Sequence, residues 1–449
     1  MPRETDESGR LAAKLAAPDV VPVRVPRPWW LPHFLGRVPL GLESRHVSLV
    51  GVIALAGFFE NYDLSMMTAA FKQIRETFGL TQAEMTSLVA WVRLGAIPAF
   101  FVLPLADRFG RRRVFLASLV GMSVATFCTA FAQTAVQYIF CQTLTRTFVV
   151  ASISTAVVIV AEELPARHRG WGIGMLGAIG SFGFGLGAVL YAFVDVLPFG
   201  WRALYLVGIV PLVWLPMLRR RVPETDRFER HRREALEGMQ PAAGWGRPMI
   251  EMLRSHPFRS LAVAAMALLA ATGFSPAFGL LSDFVQTSHE WQPSSYSLMA
   301  VLAGALGVIG NPAMGWAADR FGRRPVALVA FCVFPLVAYA VYFGPGPGIP
   351  LFWIPLVFIL TGGNVLMRII TTELFPTSSR NTAMGWETLQ ETLGSAAGYA
   401  LVGGLTVAGA SVAPAVVVVA TLTMVAALVV WWLPETAGRE LEVTSEHPD

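Results

Sequence analysis

Ala106-Asp107-Arg108-Phe109-Gly110-Arg111-Arg112 occurs twice in this chain. The same seven residues return as Ala318-Asp319-Arg320-Phe321-Gly322-Arg323-Arg324, shifted by 212 positions. A polar, Arg-dense heptapeptide between long apolar runs makes a poor membrane segment and a good short loop. Other marks repeat around it. Glu162-Glu163-Leu164-Pro165, closed by Arg169, returns as Glu373-Leu374-Phe375-Pro376, closed by Arg380. Pro223-Glu224-Thr225 returns as Pro434-Glu435-Thr436. Both later shifts are 211 residues. Marks in nearly constant register mean one ancestral half, duplicated.

The 449 residues are 54% hydrophobic and 14% charged, too apolar for a soluble chain of this size and fitting for one that crosses a membrane many times. Basic residues are almost all Arg, with Lys only at 14 and 72, so the net charge of +4 reports topology rather than nucleic-acid binding. Cys128, Cys141 and Cys332 sit in apolar runs without metal-ligand spacing and read as buried free thiols.

Residues 1–46 are polar and Pro-rich and read as a disordered cytoplasmic tail without a secretory signal. Within them, Pro26-Arg27-Pro28-Trp29-Trp30-Leu31-Pro32 reads equally as a membrane-surface stretch or as solvated tail. Twelve runs of about 20 residues follow, each able to span a bilayer as a helix. They lie near 48–70, 85–105, 113–132, 135–160, 170–194, 201–218, 259–284, 294–316, 325–343, 350–372, 382–407 and 412–433. Twelve spans put both termini on one side. The tail and the even-to-odd loops hold nearly every Arg, whereas the opposite loops hold Lys72, Arg75 and Arg202. By the positive-inside rule both termini are cytoplasmic. The expected architecture is an all-α membrane protein of two pseudo-symmetric six-helix bundles, 47–218 and 259–434. A cytoplasmic linker, 219–258, joins them, and a cytoplasmic tail, 435–449, closes the chain. His231 and His256 in the linker read as solvated.

These marks resemble the major facilitator superfamily of transporters over residues 47–442. The loops after spans 2 and 8 are similar to its G-x-x-x-D-R-x-G-R-R signature, with Leu103 replacing the leading glycine in the first copy and Gly315 supplying it in the second. Pro223-Glu224-Thr225-Asp226-Arg227-Phe228 resembles the P-E-S-x-R of sugar porters and related metabolite carriers. Pro434 to Glu442 resembles their closing P-E-T-x-G-x-x-L-E. Asn61-Tyr62-Asp63-Leu64 in span 1 is similar to the G-Y-D-L of proton-coupled metabolite symporters, with Asn61 in place of glycine. Span 7 lacks the Gln-Gln pair of sugar carriers, and span 5 lacks the Gly-Pro signature of drug antiporters.

Charges inside spans cost roughly 2.5–3.5 kcal/mol each on insertion scales, so each needs a partner or a role. Glu60 and Asp63 (span 1), Arg93 (span 2), Arg146 (span 4), Arg368 (span 10), and Glu387 and Glu391 (span 11) stand out. Glu60 and Asp63 share a helix face. Depth at ~1.5 Å per residue pairs Glu60 with Arg146 and Asp63 with Arg93. The resemblance implies an Asp63–Arg146 pair instead. A static ion pair holding spans 1, 2 and 4 together is the bland alternative. The duplication puts Ser275, not an acid, at the second-half position of Asp63, so proton coupling is expected in the first half.

Arg368 and Glu387 come out about 10 Å inside the cytoplasmic face, placed to form an inner gate. Glu391, one turn deeper and without a second Arg, is expected to hold a proton or contact a cationic substrate. Further candidates for substrate contact are Tyr62, Arg93, Arg146, Ser275, Asn364, Trp386 and Gln390, beside Trp353 as a cavity-lining aromatic. Gly273 and Pro276 beside Phe274 mark an expected break in span 7. Asp107, Arg111, Glu162, Arg169 and Glu224 are expected to form cytoplasmic ion pairs that close when that face is shut. Asp319, Arg320, Arg323, Glu373, Arg380 and Glu435 repeat the set. The alternative reading makes these Arg topology anchors only.

The expected function is proton-driven symport of a small polar or anionic metabolite across the plasma or bacterial inner membrane by alternating access. Export, facilitated diffusion or a non-transporting sensor are the alternatives. No Gly-rich phosphate loop, metal cluster or nucleophile–base constellation marks an enzyme. Neither cofactor nor metal is expected beyond a proton gradient, and the partners are a small molecule, protons and lipid, with the chain a monomer.

Overall fold

A computed structural model of the chain describes residues 25–35, 37–100, 102, 106, 109–165, 168–222, 224, 247–376 and 379–436. In hydrocarbon every backbone N–H and C=O must be paired within its own segment, and the helix does this. Spans 1 to 6 are Ser44–Ala69, Gln82–Leu94 with an irregular continuation, Arg111–Thr129, Ala135–Glu163, Arg169–Tyr191 and Trp201–Arg221. Spans 7 to 12 are Pro257–Ser288, Pro293–Phe321, Arg323–Phe343, Ile349–Leu374, Arg380–Val407 and Val412–Trp432. Among the described residues, eight helices are long and apolar enough to cross a membrane by composition alone. Spans 2, 3, 8 and 11 complete the twelve in the register the repeat demands.

Glycine carries the duplication into the packing. A Cβ on Gly183 in span 5 would lie 1.7 Å from the Phe58 carbonyl oxygen of span 1, and one on Gly187 would meet Ser65 at 2.6 Å. Shifted by 211 residues, a Cβ on Gly394 in span 11 would lie 2.1 Å from the Leu268 oxygen of span 7. One on Gly398 would lie 2.3 Å from the Thr272 oxygen. Only glycine permits backbones this close, and close backbones supply the dispersion contacts that hold helices together where no hydrophobic drive exists.

Spans 1 and 7 also end alike. Span 1 breaks at Ala70 and resumes as Phe71–Thr77; span 7 breaks at Leu280 and resumes as Leu281–Ser288. The sequence placed the break in span 7 at Gly273–Pro276. The helix instead runs on to Gly279, and Gly273 serves close packing, since a Cβ there would meet Thr423 of span 12 at 2.6 Å. In span 2 the turn tightens after Arg93, where Gly95, Ala96 and Ile97 bond three residues back. Thr147 of span 4 donates to the Gly95 oxygen at 2.6 Å and satisfies an acceptor freed there.

Two expectations for the polar segments change. Residues 25–43 are not loose tail: Leu31 and Leu42 are buried, Arg27 donates to the Leu31 oxygen at 2.8 Å, and Trp30 occupies the space left by Gly51 of span 1. The linker holds a helix, Arg247–Ser255, whose Met249, Met252 and Leu253 pack on the second bundle. His231 lies outside the described residues.

Candidate translocation site

Span 1 brings Glu60 and Asp63 to one face, and span 4 brings Gln142 and Arg146 to meet them. Together with Leu64, Met67, Val92 and Val149 they line a cavity of about 10 Å³, room for about one water. Glu60 and Asp63 are buried. Thr126 of span 3 donates to Asp63 Oδ1 at 3.0 Å, and Gln142 also faces that carboxyl. Gln142 donates in turn to Thr129 at 3.1 Å, so spans 1, 3 and 4 meet in one polar chain. Arg146 shares the cavity and acts on Asp63 through its charge, but no direct ion pair joins Asp63, Glu60 and Arg146 among the described residues. Glu60 Oε1 and Arg146 Nε have no hydrogen-bond partner.

Arg93 does not meet Asp63. Its guanidinium carbon lies 5.6 Å from the centroid of the Tyr399 ring in span 11, a cation–π contact across the two bundles. Tyr399 donates to the Ser275 oxygen of span 7 at 3.1 Å. Tyr62 is buried and donates to the Leu204 oxygen at 2.8 Å, which makes it a strut between spans 1 and 6. Trp386 donates to the Ser260 oxygen at 2.9 Å and ties span 11 to span 7. Trp353 is buried and stacks on Phe278 at 5.3 Å. Gln390 is buried, while Asn364 and Glu391 are half-buried. Glu387 is buried, but the Arg368 side chain is exposed and makes no ion pair with it among the described residues, so the expected inner gate is not formed.

The repeated loops close within each bundle. In the second, Glu435 accepts from the backbone N–H of Arg323 at 2.9 Å and of Arg324 at 3.0 Å, capping span 9. Gly322, at φ 99°, lets the carboxylate in: a Cβ would lie 2.8 Å from Glu435 Oε2. Arg323 pairs with Asp319 at 2.7 Å and with Glu373 at 3.1 Å, and Arg380 donates to the Thr372 oxygen at 2.9 Å. In the first bundle Glu224 accepts from the N–H of Arg112 at 3.2 Å beside Gly110, at φ 103°. Arg111 pairs with Glu162 at 3.4 Å, and Arg169 donates to the Leu164 oxygen at 3.3 Å. Asp107 lies outside the described residues.

A second constellation escaped the sequence reading. At the end opposite the Arg loops, the short helices after spans 1 and 7 meet. Arg75 pairs with Asp283 at 3.2 Å, and Gln82 donates to the other Asp283 oxygen at 2.6 Å. The Gln286 amide bonds Gln73 and Tyr191, and Ser282 donates to the Ala69 oxygen at 2.6 Å. Phe184 meets Phe278, and Tyr191 meets Tyr296, across the same seam. These bonds and ring contacts join the two bundles at this end.

The sequence model of the Major Facilitator Superfamily matches residues 53–284 and again 263–448, one match for each half. The chain belongs to this superfamily. It is similar to the niacin transporter NiaP of Acinetobacter baylyi, 26% identical over 90% of this chain and 97% of that one. It is also similar to the 4-hydroxybenzoate transporter PcaK of Pseudomonas aeruginosa, 26% identical over 79% of this chain and 84% of that one. The gallate transporter of Pseudomonas putida is 25% identical over 73% of this chain and 78% of its own length. Among solved structures, the xylose transporter XylE from E. coli superposes with a TM-score of 0.70 at 16% identity, covering 89% of this chain and 99% of that one. The chain is a multi-pass membrane transporter of the superfamily and not an enzyme. Thr126, Gln142 and Tyr399 escaped the sequence reading because uncharged polar residues in a span carry no signal of which helix they face. Asp283 and Gln286 escaped it because they sit at a span end, where polarity is cheap.

Proposed function

We propose that the chain takes up a small aromatic carboxylate together with protons across the plasma or bacterial inner membrane by alternating access. Arg146 carries the reading: it is a cation inside the membrane whose Nε has no partner, in one cavity with two carboxyls that do not bridge to it. Such a cation can accept a substrate carboxylate, and its charge then ceases to hold Asp63 ionised, so substrate binding and protonation of Asp63 favour one another. Relatives named for niacin, gallate and 4-hydroxybenzoate support an aromatic acid. Orientation follows from the Arg loops, which face the cytoplasm with both termini. With that orientation the face joined by Arg75 and Asp283 is external. The bundles, 47–218 and 259–434, rock about their seam as a monomer, driven by the proton gradient without a cofactor. Uptake of labelled aromatic acids into proteoliposomes under an imposed pH gradient tests the reading. Accumulation that a protonophore abolishes is expected; uptake indifferent to the gradient, or absent across the acids, sinks it.

A further inference from the structure

Glu387 lies in span 11, about 10 Å along the helix from its start at Arg380. Its side chain is 1% exposed, and neither carboxyl oxygen has a hydrogen-bond partner. The hydroxyl of Thr371 in span 10 faces it and is fully buried. Three buried oxygens thus converge, and the Thr371 hydroxyl is the one neutral donor that faces the carboxyl. An ionised carboxylate taken out of water with one neutral donor and no paired cation is poorly supported. Asp63 provides the contrast within the same molecule: a hydroxyl donates to it, an amide faces it, and Arg146 shares its cavity. Each carboxyl has a hydroxyl, but only Asp63 adds an amide and a cation in the same cavity.

The charged groups around Glu387 do not supply what it lacks. Glu391, one turn along the same helix, adds a second negative charge. Arg368 of span 10 faces the site through space, but its side chain is exposed and unpaired. Span 7 contributes Arg259, which donates to the Leu374 oxygen, and span 2 contributes Arg93, held over Tyr399. Glu251 and Arg254 of the linker helix are exposed, and span 12 brings no charge. A proton on Glu387 removes the buried charge that a single neutral hydroxyl would otherwise have to support, and it still leaves a hydrogen bond between the acid and Thr371 Oγ1.

We propose that Glu387 is a proton-binding site separate from Asp63, occupied in this conformation and facing Thr371. The site lies in the half where the duplication offers no counterpart of Asp63. It also reverses the expectation from sequence, which had Arg368 neutralise Glu387 and left the proton on Glu391. It does not depend on the substrate assigned above.

Infrared spectra of the full chain in liposomes, without substrate, test it. At neutral pH the parent should show a protonated-carboxyl band that is lost in Glu387→Gln and kept in Asp63→Asn and Glu391→Gln. A parent spectrum without such a band, or a band untouched by Glu387→Gln, overturns the proposal. Should Glu387→Gln not fold, Thr371→Val takes its place: removing the hydroxyl should shift the band toward that of a carboxylic acid without a partner. An unshifted band there also overturns it. Failure of aromatic-acid uptake would leave these spectra unchanged, so the two readings fail separately.

Discussion

Arg75 and Asp283 stand 208 residues apart and join the two halves of the molecule through a 3.2 Å ion pair. Asp283 is 1% exposed and also accepts from Gln82, whereas Arg75 keeps its rim in water. Each lies on the short helix that follows a break in its span, so the duplication has made two matching lids and one charge pair seals them. Asp283→Asn removes a buried charge from that pair, a loss that costs about 3–5 kcal/mol in comparable buried pairs. Only conformations closed at this face contain the pair, so the loss should shift the equilibrium toward opening here by tenfold or more. Spin-label distances between residues near 77 and 288 should lengthen; an unchanged distribution means the pair does not bias the gate.

Gly322 and Glu435 make a different kind of prediction. Gly322→Ala puts a Cβ 2.8 Å from the capping carboxylate at φ 99°, so strain and a displaced cap act together. A loss of about 1–3 kcal/mol is expected. Gly79, at φ 64° with nothing within 4 Å of a Cβ, is the milder control, because Gly79→Ala meets a smaller backbone strain and no cap. Thermal unfolding in detergent should rank Gly322→Ala well below Gly79→Ala. Equal midpoints would contradict both the strain and the displaced cap at Gly322.

The sequence revealed what is periodic and what is charged. Repeated loops, alternating Arg density and apolar length pointed to twelve helices and a duplicated half, because each is a property of many residues at once. Side-chain pairing was legible only where it was local or duplicated, as in Arg111–Glu162 and Arg323–Glu373. Depth arithmetic ran to an error of about one turn, and one turn decides whether Arg93 meets Asp63 or Tyr399. Rotation about each helix axis leaves the Arg368 side chain exposed, close enough to act on Glu387 through its charge but not to pair with it among the described residues. No count along one chain reports how two helices are rotated toward each other.

Packing glycines can be tested in pairs. Gly183→Ala sets a methyl 1.7 Å from a backbone oxygen of span 1, and Gly394→Ala sets one 2.1 Å from its duplicate in span 7. Neither backbone can yield without separating the helices, so both variants should lose about 1–3 kcal/mol and much of their transport. Gly185→Ala, two residues from Gly183 with open space around its Cβ, should be tolerated. Folded yield by size exclusion checks the set, and a normal Gly183→Ala would contradict the close approach of spans 1 and 5.

Asp63 carries the most direct test of coupling. Its carboxylate accepts from Thr126, and the positive charge of Arg146 shares its cavity, so the ionised form is supported from two sides. Asp63→Asn keeps size and hydrogen-bonding capacity but cannot exchange a proton. It should abolish accumulation against a gradient while exchange of substrate for substrate continues. Thr126→Val should do less, since removing one neutral donor to a charged group costs about 1.5–3 kcal/mol and leaves the carboxyl in place. Its accumulation should persist with an altered dependence on external pH. Arg146→Gln should instead raise the KM for the acid at least tenfold, because it withdraws the cation that meets the substrate carboxylate. Counterflow and uptake measured in the same proteoliposomes separate these outcomes. If Asp63→Asn still accumulates substrate at equal protein content, the coupling proton binds elsewhere, and Asp63 only braces spans 1, 3 and 4.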